Sequence, residues 1–374
     1  MKVMTFVGTR PELIKLSRVL CELDRSVEHV LVHSGQNFDY ELNHIFFEQL
    51  ALRPPDVFLE AAADSALETI ANVLKAADLA LAQHRPDAVL VLGDTNSGLA
   101  VLAAKRRQIP IFHMEAGNRC FDQRVPEEIN RKIIDHVSDI NLTYTEHARR
   151  YLLAEGLAPQ TVINTGSPMR EVLAHYRPGI EGSAVLHELA IEPRQYFVVS
   201  AHREENVDRP ARLAALVQVV NHLAALHDVP VILSTHPRTR KRLENEPGLV
   251  FDARVRALKP LGFLDYIKLQ LNALCVLSDS GTITEESAIL GFPAVTIRQA
   301  HERPEGMDAG TLVMADLVVE RAVAAVKIVT DHAWRDGVRL PAPSDYGPEL
   351  VSKKVVRIIL SYTDYVRRTV WFQL

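Results

Sequence analysis

Short runs of apolar residues recur along this chain, and each is followed by a polar turn and then by residues with helical spacing. Residues 88–92 read Ala-Val-Leu-Val-Leu, a pattern typical of a strand that is buried on both faces of a sheet. Strands that alternate with helices predict parallel sheets covered by helices, so we expect an α/β fold. The predicted strands are residues 3–7, 29–32, 88–92, 109–113, 140–143, 196–200, 229–234, 249–251, 275–278 and 294–297.

The series of strands and helices is interrupted around residues 168–194, where prolines and glycines cluster. This composition predicts a linker, and a length of 374 residues is enough for two domains. We therefore expect two Rossmann-like domains that face each other across a cleft, over residues 1–168 and 169–354. Residues 355–374 predict a helix, and in two-domain folds of this kind such a helix can pack back on the first domain.

The composition excludes several classes of protein. Hydrophobic residues make up 47% and charged residues 24% of the chain, as in ordinary globular proteins. A formal net charge of −5 argues against binding of nucleic acid or of a membrane surface. The three cysteines are far apart, and neither CxxC nor HExxH occurs, so no metal is expected. The apolar run at residues 1–7 is too short for a signal peptide or a membrane span, and a cytoplasmic protein is predicted.

Carboxylates follow two of the predicted buried strands. Because ligands of open α/β sheets bind beyond the carboxyl ends of the strands, Asp94 and Glu115 are the leading candidates for proton transfer. Asp94 could alternatively cap the next helix. Glu127 and Glu128, which follow Pro126, are further candidates, although acidic residues are also favoured in the first turn of a helix for its dipole.

Basic residues near the first predicted strand are candidates for contacts with phosphate. Arg10 follows that strand and Lys15 lies in the helix after it; each could equally be a solvated surface charge. Neither GxGxxG nor GxxxxGK[ST] is present, so nicotinamide and P-loop chemistry lose their main support.

The second half of the chain offers groups for a diphosphate and a base. His202 and Arg203 follow the strand predicted at residues 196–200, and His236 follows the next one; all three could neutralise a diphosphate. Phe263 or Tyr266 could stack on a base, although an aromatic residue at such a position is often part of the core.

A polar turn at residues 278–282 leads directly into a predicted helix with two carboxylates in its first turns. The N-terminus of a helix binds phosphate well, and Ser280 and Gly281 would let a ligand approach that backbone closely. Glu286 could accept hydrogen bonds from two sugar hydroxyls. Thr282 and Glu285 also fit a capping box, which would make Glu285 structural.

These loops resemble the non-hydrolysing UDP-N-acetylglucosamine 2-epimerase family, from Lys2 to about Gly310. Each motif is weak alone, but their order and spacing together are specific. The motifs are Gly8-Thr-Arg-Pro-Glu12, Gly93-Asp-Thr95, Glu115-Ala-Gly117, Pro126-Glu-Glu128, His202-Arg203, His236-Pro237, Ser278-Asp-Ser-Gly281 with Glu285-Glu286, and Glu302-Arg-Pro-Glu305.

The resemblance implies a glycosyltransferase-B-type fold, with UDP held mainly by the second domain. It implies epimerisation at C2 by elimination of UDP across C1–C2 to a glycal, followed by re-addition, with no metal or nicotinamide cofactor and with a homodimer as the expected assembly. The residues that it assigns to proton transfer are Asp94, Glu115 and Glu127, with His202 near the leaving group. The residues that it assigns to UDP or substrate are Arg10, Lys15, Arg203, His236, Tyr266, Ser280, Gly281, Thr282, Glu286 and Arg303.

The chain departs from the common family pattern in several places. Thr282 replaces a second glycine, and Asn37 stands where His is typical, in a region that some members use for an activating second UDP-N-acetylglucosamine. Residues 112–124 and 297–303 resemble the subgroup that makes UDP-N-acetyl-L-fucosamine for capsule or O-antigen, whose substrate is UDP-2-acetamido-2,6-dideoxy-L-talose. The alternatives are interconversion of UDP-N-acetylglucosamine and UDP-N-acetylmannosamine, a glycosyltransferase, and a nucleotide-sugar binding module without chemistry.

Overall fold

A computed structural model of the chain describes residues 1–35, 46–300 and 302–373; Asn37 lies outside the described residues. The chain forms two compact units. The first contains Met1–His175 together with Ser344–Leu374, and the second contains Tyr176–Pro343.

Helices and strands alternate through most of the described sequence. The helices are α1 (Arg10–Ser26), α2 (Ala66–His84), α3 (Val101–Arg106), α4 (Pro126–Val137), α5 (Glu146–Ala154), α6 (Met169–Gly182), α7 (Val185–Glu188), α8 (Glu204–Val207), α9 (Pro210–His227), α10 (Pro237–Glu244), α11 (Phe263–Asn272), α12 (Ile283–Leu290), α13 (Pro304–Asp308), α14 (Val319–Thr330) and α15 (Val351–Val370). The strands are β1 (Lys2–Val7), β2 (Glu28–His33), β3 (Val57–Phe58), β4 (Ala88–Leu92), β5 (Ile111–Ala116), β6 (Ile140–Thr143), β7 (Val162–Asn164), β8 (Phe197–Ser200), β9 (Val231–Ser234), β10 (Val255–Leu258), β11 (Cys275–Ser278), β12 (Ala294–Thr296) and β13 (Val313–Met314).

The sheet of the first unit has seven parallel strands in the order β3-β2-β1-β4-β5-β6-β7. Its central strand β4 is buried at all five positions, because helices cover both faces of a parallel sheet. One face packs against apolar residues of α2 such as Val73 and Leu81. The C-terminal helix α15 belongs to this unit and packs on α1, and Arg367 near its end pairs with Asp87 at 2.7 Å.

The sheet of the second unit has six parallel strands in the order β10-β9-β8-β11-β12-β13. Apolar residues of α9, including Leu216 and Val220, pack against β8 and β11 on one face. Tyr196, Ile267 and Leu269 are buried in this unit as well. The two parallel sheets with their helices confirm the predicted fold class, an α/β protein with two Rossmann-like domains.

The prediction of a strand at residues 249–251 is wrong. These residues form a loop, and the edge strand is Val255–Leu258. The side chain of Asn221 explains the difference, because it donates to the carbonyl of Val250 at 2.8 Å and accepts from the N–H of Asp252 at 2.8 Å. The apolar residues Leu249 and Phe251 pack against the core from this loop.

The chain passes from one unit to the other between His175 and Tyr176, inside the linker predicted at residues 168–194, but most of this segment is helical, in α6 and α7. Val172, Leu173 and Ile180 form a buried face of α6, and this face stabilises the helix although Pro178 lies inside it. A proline inside a helix is destabilising, but here the burial of the apolar face stabilises α6 enough to offset that cost.

The capping box predicted for Thr282 and Glu285 does not form. Thr282 already has helical dihedral angles, φ −70° and ψ −21°, and its side chain caps no backbone N–H. Glu285 is instead fully buried and pairs with Arg303 at 3.1 Å.

Two features are absent from the described ranges. Within residues 1–35, 46–300 and 302–373, no helix is long and apolar enough to cross a membrane. Over the same ranges, no group of three or more His, Cys, Asp and Glu side chains is arranged to hold a metal ion.

Candidate functional site

Glu115 lies at the carboxyl end of β5, where the backbone is unusual. Its φ is +62°, a left-handed conformation that is uncommon for a residue other than glycine and that stores backbone strain. The register of β5 with β6 shifts between Met114 and Ala116, so Glu115 is the extra residue at this point. Such strain is common at functional sites.

The carboxylate of Glu115 is nearly buried and is paired with a cation. Lys15, on α1, contacts Oε2 at 2.5 Å, and the two side chains are 7% and 11% exposed. A Cβ atom added to Gly93 would lie 4.0 Å from the same Oε2, so Glu115 faces the turn that precedes Asp94. Lys15 therefore does not act as a solvated surface charge.

Asp94 follows β4 and is held by a buried arginine. Arg131, on α4, contacts Oδ2 of Asp94 through Nε at 3.0 Å and through a terminal nitrogen at 2.6 Å. Its other terminal nitrogen donates to Glu128 at 2.7 Å. Asp94 is not the residue that caps the following 3-10 helix, since Thr95 occupies that position. We call Lys15, Asp94, Glu115 and Arg131 the acid site.

Glu128 anchors the chain that leads to α4. It accepts from the backbone N–H groups of Cys120 and Phe121 at 3.1 and 3.2 Å as well as from Arg131. Burial raises the pKa of Glu128, but the N–H of Cys120 and the guanidinium of Arg131 outweigh burial and hold that pKa below its ordinary value. Glu127, one residue earlier, is half-buried in the first turn of the same helix.

Glu12, a further buried carboxyl group, links two loops beside the acid site. It accepts from the N–H groups of Gly8 and Thr9 at 3.0 and 2.7 Å and from the hydroxyl of Thr95 at 2.9 Å. Burial raises its pKa to about 7. Arg10, two residues before it, lies with its guanidinium 5.6 Å from the ring centre of Phe46.

In the second unit, Asp279 organises the loop after β8. Its carboxylate is fully buried and accepts from the backbone N–H groups of His202 and Arg203, each at about 3.0 Å to Oδ2. The Nδ1 atom of His202 lies 3.2 Å from Oδ1. Asp279 thereby fixes the half-exposed ring of His202, which lies 6.1 Å from the ring of His236.

Two arginines and one glutamate surround Gly281. A Cβ atom added there would lie 3.4 Å from Glu302, 3.8 Å from Arg303 and 4.0 Å from Arg203. The next residues begin α12, whose first N–H groups favour an anion. Ser280 contacts the hydroxyl of Thr282 at 3.1 Å. We call Arg203, Ser280, Gly281, Glu302 and Arg303 the anion cradle.

Glu286 lies on α12, one turn beyond the cradle, and is 7% exposed. Its Oε2 accepts from the side-chain amide of Gln270 at 2.9 Å. Tyr266 packs against the core of this unit; burial raises the pKa of its hydroxyl, and the nearby charge of Glu286 raises it further. The neighbouring Phe263 is buried against Tyr176, edge to face, with 5.9 Å between the ring centres.

The sequence reasoning missed Arg131, Glu12 and Gln270 as parts of these sites. Arg131 could have been found, because it lies three residues after Glu128 on a predicted helix, the spacing of a helical ion pair. The sequence holds no comparable signal for Gln270, whose contact with Glu286 joins two helices.

Comparison with known proteins gives a consistent result. A family model described as UDP-N-acetylglucosamine 2-epimerase matches residues 21–360. The solved structure of UDP-N-acetylglucosamine 2-epimerase from Rickettsia bellii is 53% identical, covers 100% of both chains and has a TM-score of 0.92. That of the Methanocaldococcus jannaschii UDP-GlcNAc 2-epimerase in complex with UDP-GlcNAc and UDP is 32% identical, with 96% of this chain and 100% of that chain covered and a TM-score of 0.89. A Pseudomonas aeruginosa UDP-2,3-diacetamido-2,3-dideoxy-D-glucuronate 2-epimerase is 34% identical over 333 residues, 86% of this chain and 91% of that protein.

Proposed function

This chain belongs to the UDP-N-acetylglucosamine 2-epimerase family, and from that premise we propose that it inverts the configuration at C2 of a UDP-linked 2-acetamido sugar. The observation that carries the proposal is the acid site, where Asp94 and Glu115 each pair with one cation at the ends of adjacent strands. Two positioned carboxylates are what a reaction that removes and returns a proton requires.

The proposed reaction is an elimination followed by an addition. A base takes the proton from C2, the C2–H electrons form a double bond to C1, and the C1–O bond breaks with its electron pair on the diphosphate of UDP. In the second step the diphosphate oxygen adds again to C1, and an acid delivers a proton to the opposite face of C2. We assign these proton transfers to Asp94, Glu115 and Glu127.

The departing diphosphate gains negative charge, which cations and N–H groups must stabilise. We assign this role to the anion cradle, since Arg203, Arg303 and the first N–H groups of α12 surround Gly281. His202, held by Asp279, is assigned to the leaving group. Glu286 is assigned to the ribose hydroxyls.

Four further residues predicted to bind UDP or the sugar are assigned individually. We propose that His236 and Arg10 contact the phosphate groups of UDP. Lys15 is assigned to pairing with Glu115 and not to binding of the substrate, because the two side chains lie 2.5 Å apart and are nearly buried. Tyr266 is proposed to support Glu286 from the core and not to stack on the base.

Solvent deuterium tests this mechanism. We expect the epimerised product formed in heavy water to carry deuterium at C2, because the acid that protonates the opposite face of C2 carries a hydrogen that has exchanged with solvent. NMR of the product measures this. An epimerised product that kept all of its C2 hydrogen would contradict the elimination.

We further propose that the natural substrate is UDP-2-acetamido-2,6-dideoxy-L-talose, converted to UDP-N-acetyl-L-fucosamine for capsule or O-antigen. The support is the likeness of residues 112–124 and 297–303 to that subgroup. A second candidate is interconversion of UDP-N-acetylglucosamine and UDP-N-acetylmannosamine, which is favoured by the name of the 53% identical relative from Rickettsia bellii.

A substrate panel separates the two candidates. The panel contains the L-talosamine-type sugar, UDP-N-acetylglucosamine and, from the Pseudomonas aeruginosa relative, UDP-2,3-diacetamido-2,3-dideoxy-D-glucuronate. The sugar with the highest kcat/KM identifies the substrate. Transfer of the sugar to an acceptor, without a C2 epimer, would favour a glycosyltransferase instead.

We also propose a homodimer that acts in the cytoplasm. Ile129 and Ile133, one turn apart on α4, are 52% and 37% exposed, and exposed apolar side chains on one helix face favour association. Light scattering after size exclusion tests the dimer, with Ile133→Glu expected to give a monomer. Cell fractionation tests the location.

A further inference from the structure

A buried histidine beneath the acid site contacts the turn before Asp94 directly and reaches the loop after Glu115 through Asp135. His113 lies inside β5 and is fully buried. Its Nε2 lies 2.8 Å from the carbonyl oxygen of Gly93, and its Nδ1 lies 2.9 Å from Oδ1 of Asp135 on α4. Because a carbonyl oxygen only accepts, Nε2 carries a proton and donates it to Gly93.

Asp135 extends this contact to the loop after Glu115. It is fully buried and accepts from the N–H of Gly117 at 3.1 Å. Its other oxygen accepts from Arg119 at 2.7 Å. Arg119 in turn forms two hydrogen bonds with Glu155 at 2.7 and 2.6 Å. The charge of Asp135 is thus matched by a buried guanidinium, and the loop is held from below.

The two glycines that this network holds require special backbone angles. Gly93 precedes Asp94 and has φ +68°, while Gly117 follows Glu115 by two residues and has φ +82°. A Cβ atom on Gly117 would lie only 2.5 Å from the carbonyl oxygen of Ala148. The N–H of Gly93 also donates to the carbonyl of Met114 at 2.9 Å, so both backbone polar groups of Gly93 are held.

We propose that His113 and Asp135 are positioning residues for the epimerisation, a role that rests on the proposed function. They touch neither substrate nor reacting atoms in this assignment. By fixing Gly93 and Gly117, they hold the strained Glu115 backbone and the Asp94 turn in one arrangement. Strain of this kind persists only where its surroundings impose it, and a displacement of about 1 Å in a catalytic group can cost about a hundredfold in rate.

Asp135→Asn tests the proposal, because it keeps the shape of the side chain and removes its charge. We expect kcat to fall by about tenfold or more, while the affinity for UDP, assigned to the second unit, changes by less than about twofold. The matched control is Asp139→Asn. Asp139 is also buried, and it accepts from Ile111 at the opposite end of β5 and from Lys105.

The control separates positioning from a general loss of stability. Both variants lose a buried charge contact, so both should unfold at lower temperature. Only Asp135→Asn should lower kcat strongly. Equal losses of kcat in the two variants would overturn the proposal, as would a kcat for Asp135→Asn within about twofold of the parent value.

A second measurement does not depend on activity. Hydrogen–deuterium exchange of the peptide over residues 115–119 should be faster in Asp135→Asn than in Asp139→Asn, since the N–H of Gly117 loses its carboxylate partner. An unchanged rate would overturn the positioning role. If the parent protein epimerises none of the sugars in the panel, the proposed function fails, and this exchange comparison still decides whether Asp135 holds the loop.

If Asp135→Asn does not fold, two variants of His113 replace it. His113→Gln can keep an amide N–H near the position of Nε2, whereas His113→Asn places its shorter amide near the position of Nδ1 and leaves Gly93 without this donor. We expect His113→Gln to keep more kcat than His113→Asn, because the contact with Gly93 controls the turn before Asp94. The reverse order, or parental kcat in both variants, would overturn the proposal.

Discussion

Arg131 brings both Nε and a terminal nitrogen to a single oxygen of Asp94, at 3.0 and 2.6 Å. The remaining nitrogen contacts Glu128 at 2.7 Å, and the arginine is 3% exposed. One planar cation therefore holds two carboxylates at fixed positions. Such a fork cannot be reproduced by the point charge of a lysine.

Arg131→Lys should lower kcat by about tenfold or more, because lysine keeps the charge but cannot hold Asp94 and Glu128 together. The affinity for UDP should stay within about twofold of the parent value. Steady-state kinetics and calorimetry with UDP measure the two effects. Arg107→Lys is the control, since Arg107 makes a similar fork with Asp78 on the surface and its change should leave kcat unaltered. Parental kcat in Arg131→Lys would contradict the assigned role.

Lys15→Met and Glu115→Gln should each destabilise the protein, and their combination should cost less than the sum. Breaking a nearly buried pair leaves an uncompensated charge that costs about 3 kcal/mol, whereas removing both charges avoids this penalty. Urea unfolding of the four proteins in the cycle gives the coupling free energy. The exposed pair of Lys327 and Asp331 serves as the comparison, with a coupling of about 0.5 kcal/mol or less. A similarly small value for Lys15 and Glu115 would show that their contact is unimportant for stability.

The sequence predicted the central strands well and the edges of the sheets poorly. The apolar run of β4 occupies the predicted residues, because a strand buried on both faces is apolar throughout. Edge strands such as Val57–Phe58 and Val313–Met314 have two residues each, too few for any periodicity to be recognised.

For the site, the sequence located the loops but not the contacts within them. Asp94 and Glu115 could be identified because each lies at the carboxyl end of an apolar run. Their cationic partners, Lys15 and Arg131, depend on how α1 and α4 pack on the sheet, which a linear pattern does not encode. The role of His113 could have been suspected from the sequence, because a polar residue inside an apolar strand is buried and needs hydrogen-bond partners.

Gly281→Ala should fold normally and bind UDP at least about tenfold more weakly. The added Cβ atom would make ordinary contacts with the protein, the shortest being 3.4 Å to Glu302, so stability should change by about 0.5 kcal/mol or less. The methyl group would nevertheless stand between the arginines and any diphosphate that approaches this backbone. Calorimetric titration with UDP measures the affinity. Gly248→Ala, where nothing lies within 4 Å of the added atom, is the control, and parental affinity in Gly281→Ala would mean that the diphosphate binds elsewhere.

Glu12→Gln should remove a dependence of stability on pH. Burial raises the pKa of Glu12 from 4.5 to about 7, so between these values the folded protein holds a proton that the unfolded chain releases. The free energy of unfolding therefore falls as the pH rises through this range, by about 3 kcal/mol at about 1.4 kcal/mol per pH unit. A glutamine side chain is neutral at every pH, so the Glu12→Gln variant should not show this fall. Glu68→Gln is the matched control, because Glu68 has the equivalent position in the exposed capping box of α2, and its change should leave the pH dependence intact. Urea unfolding from pH 4.5 to pH 8 measures all three proteins, and an equal fall in the parent and in Glu12→Gln would assign the titration to another group.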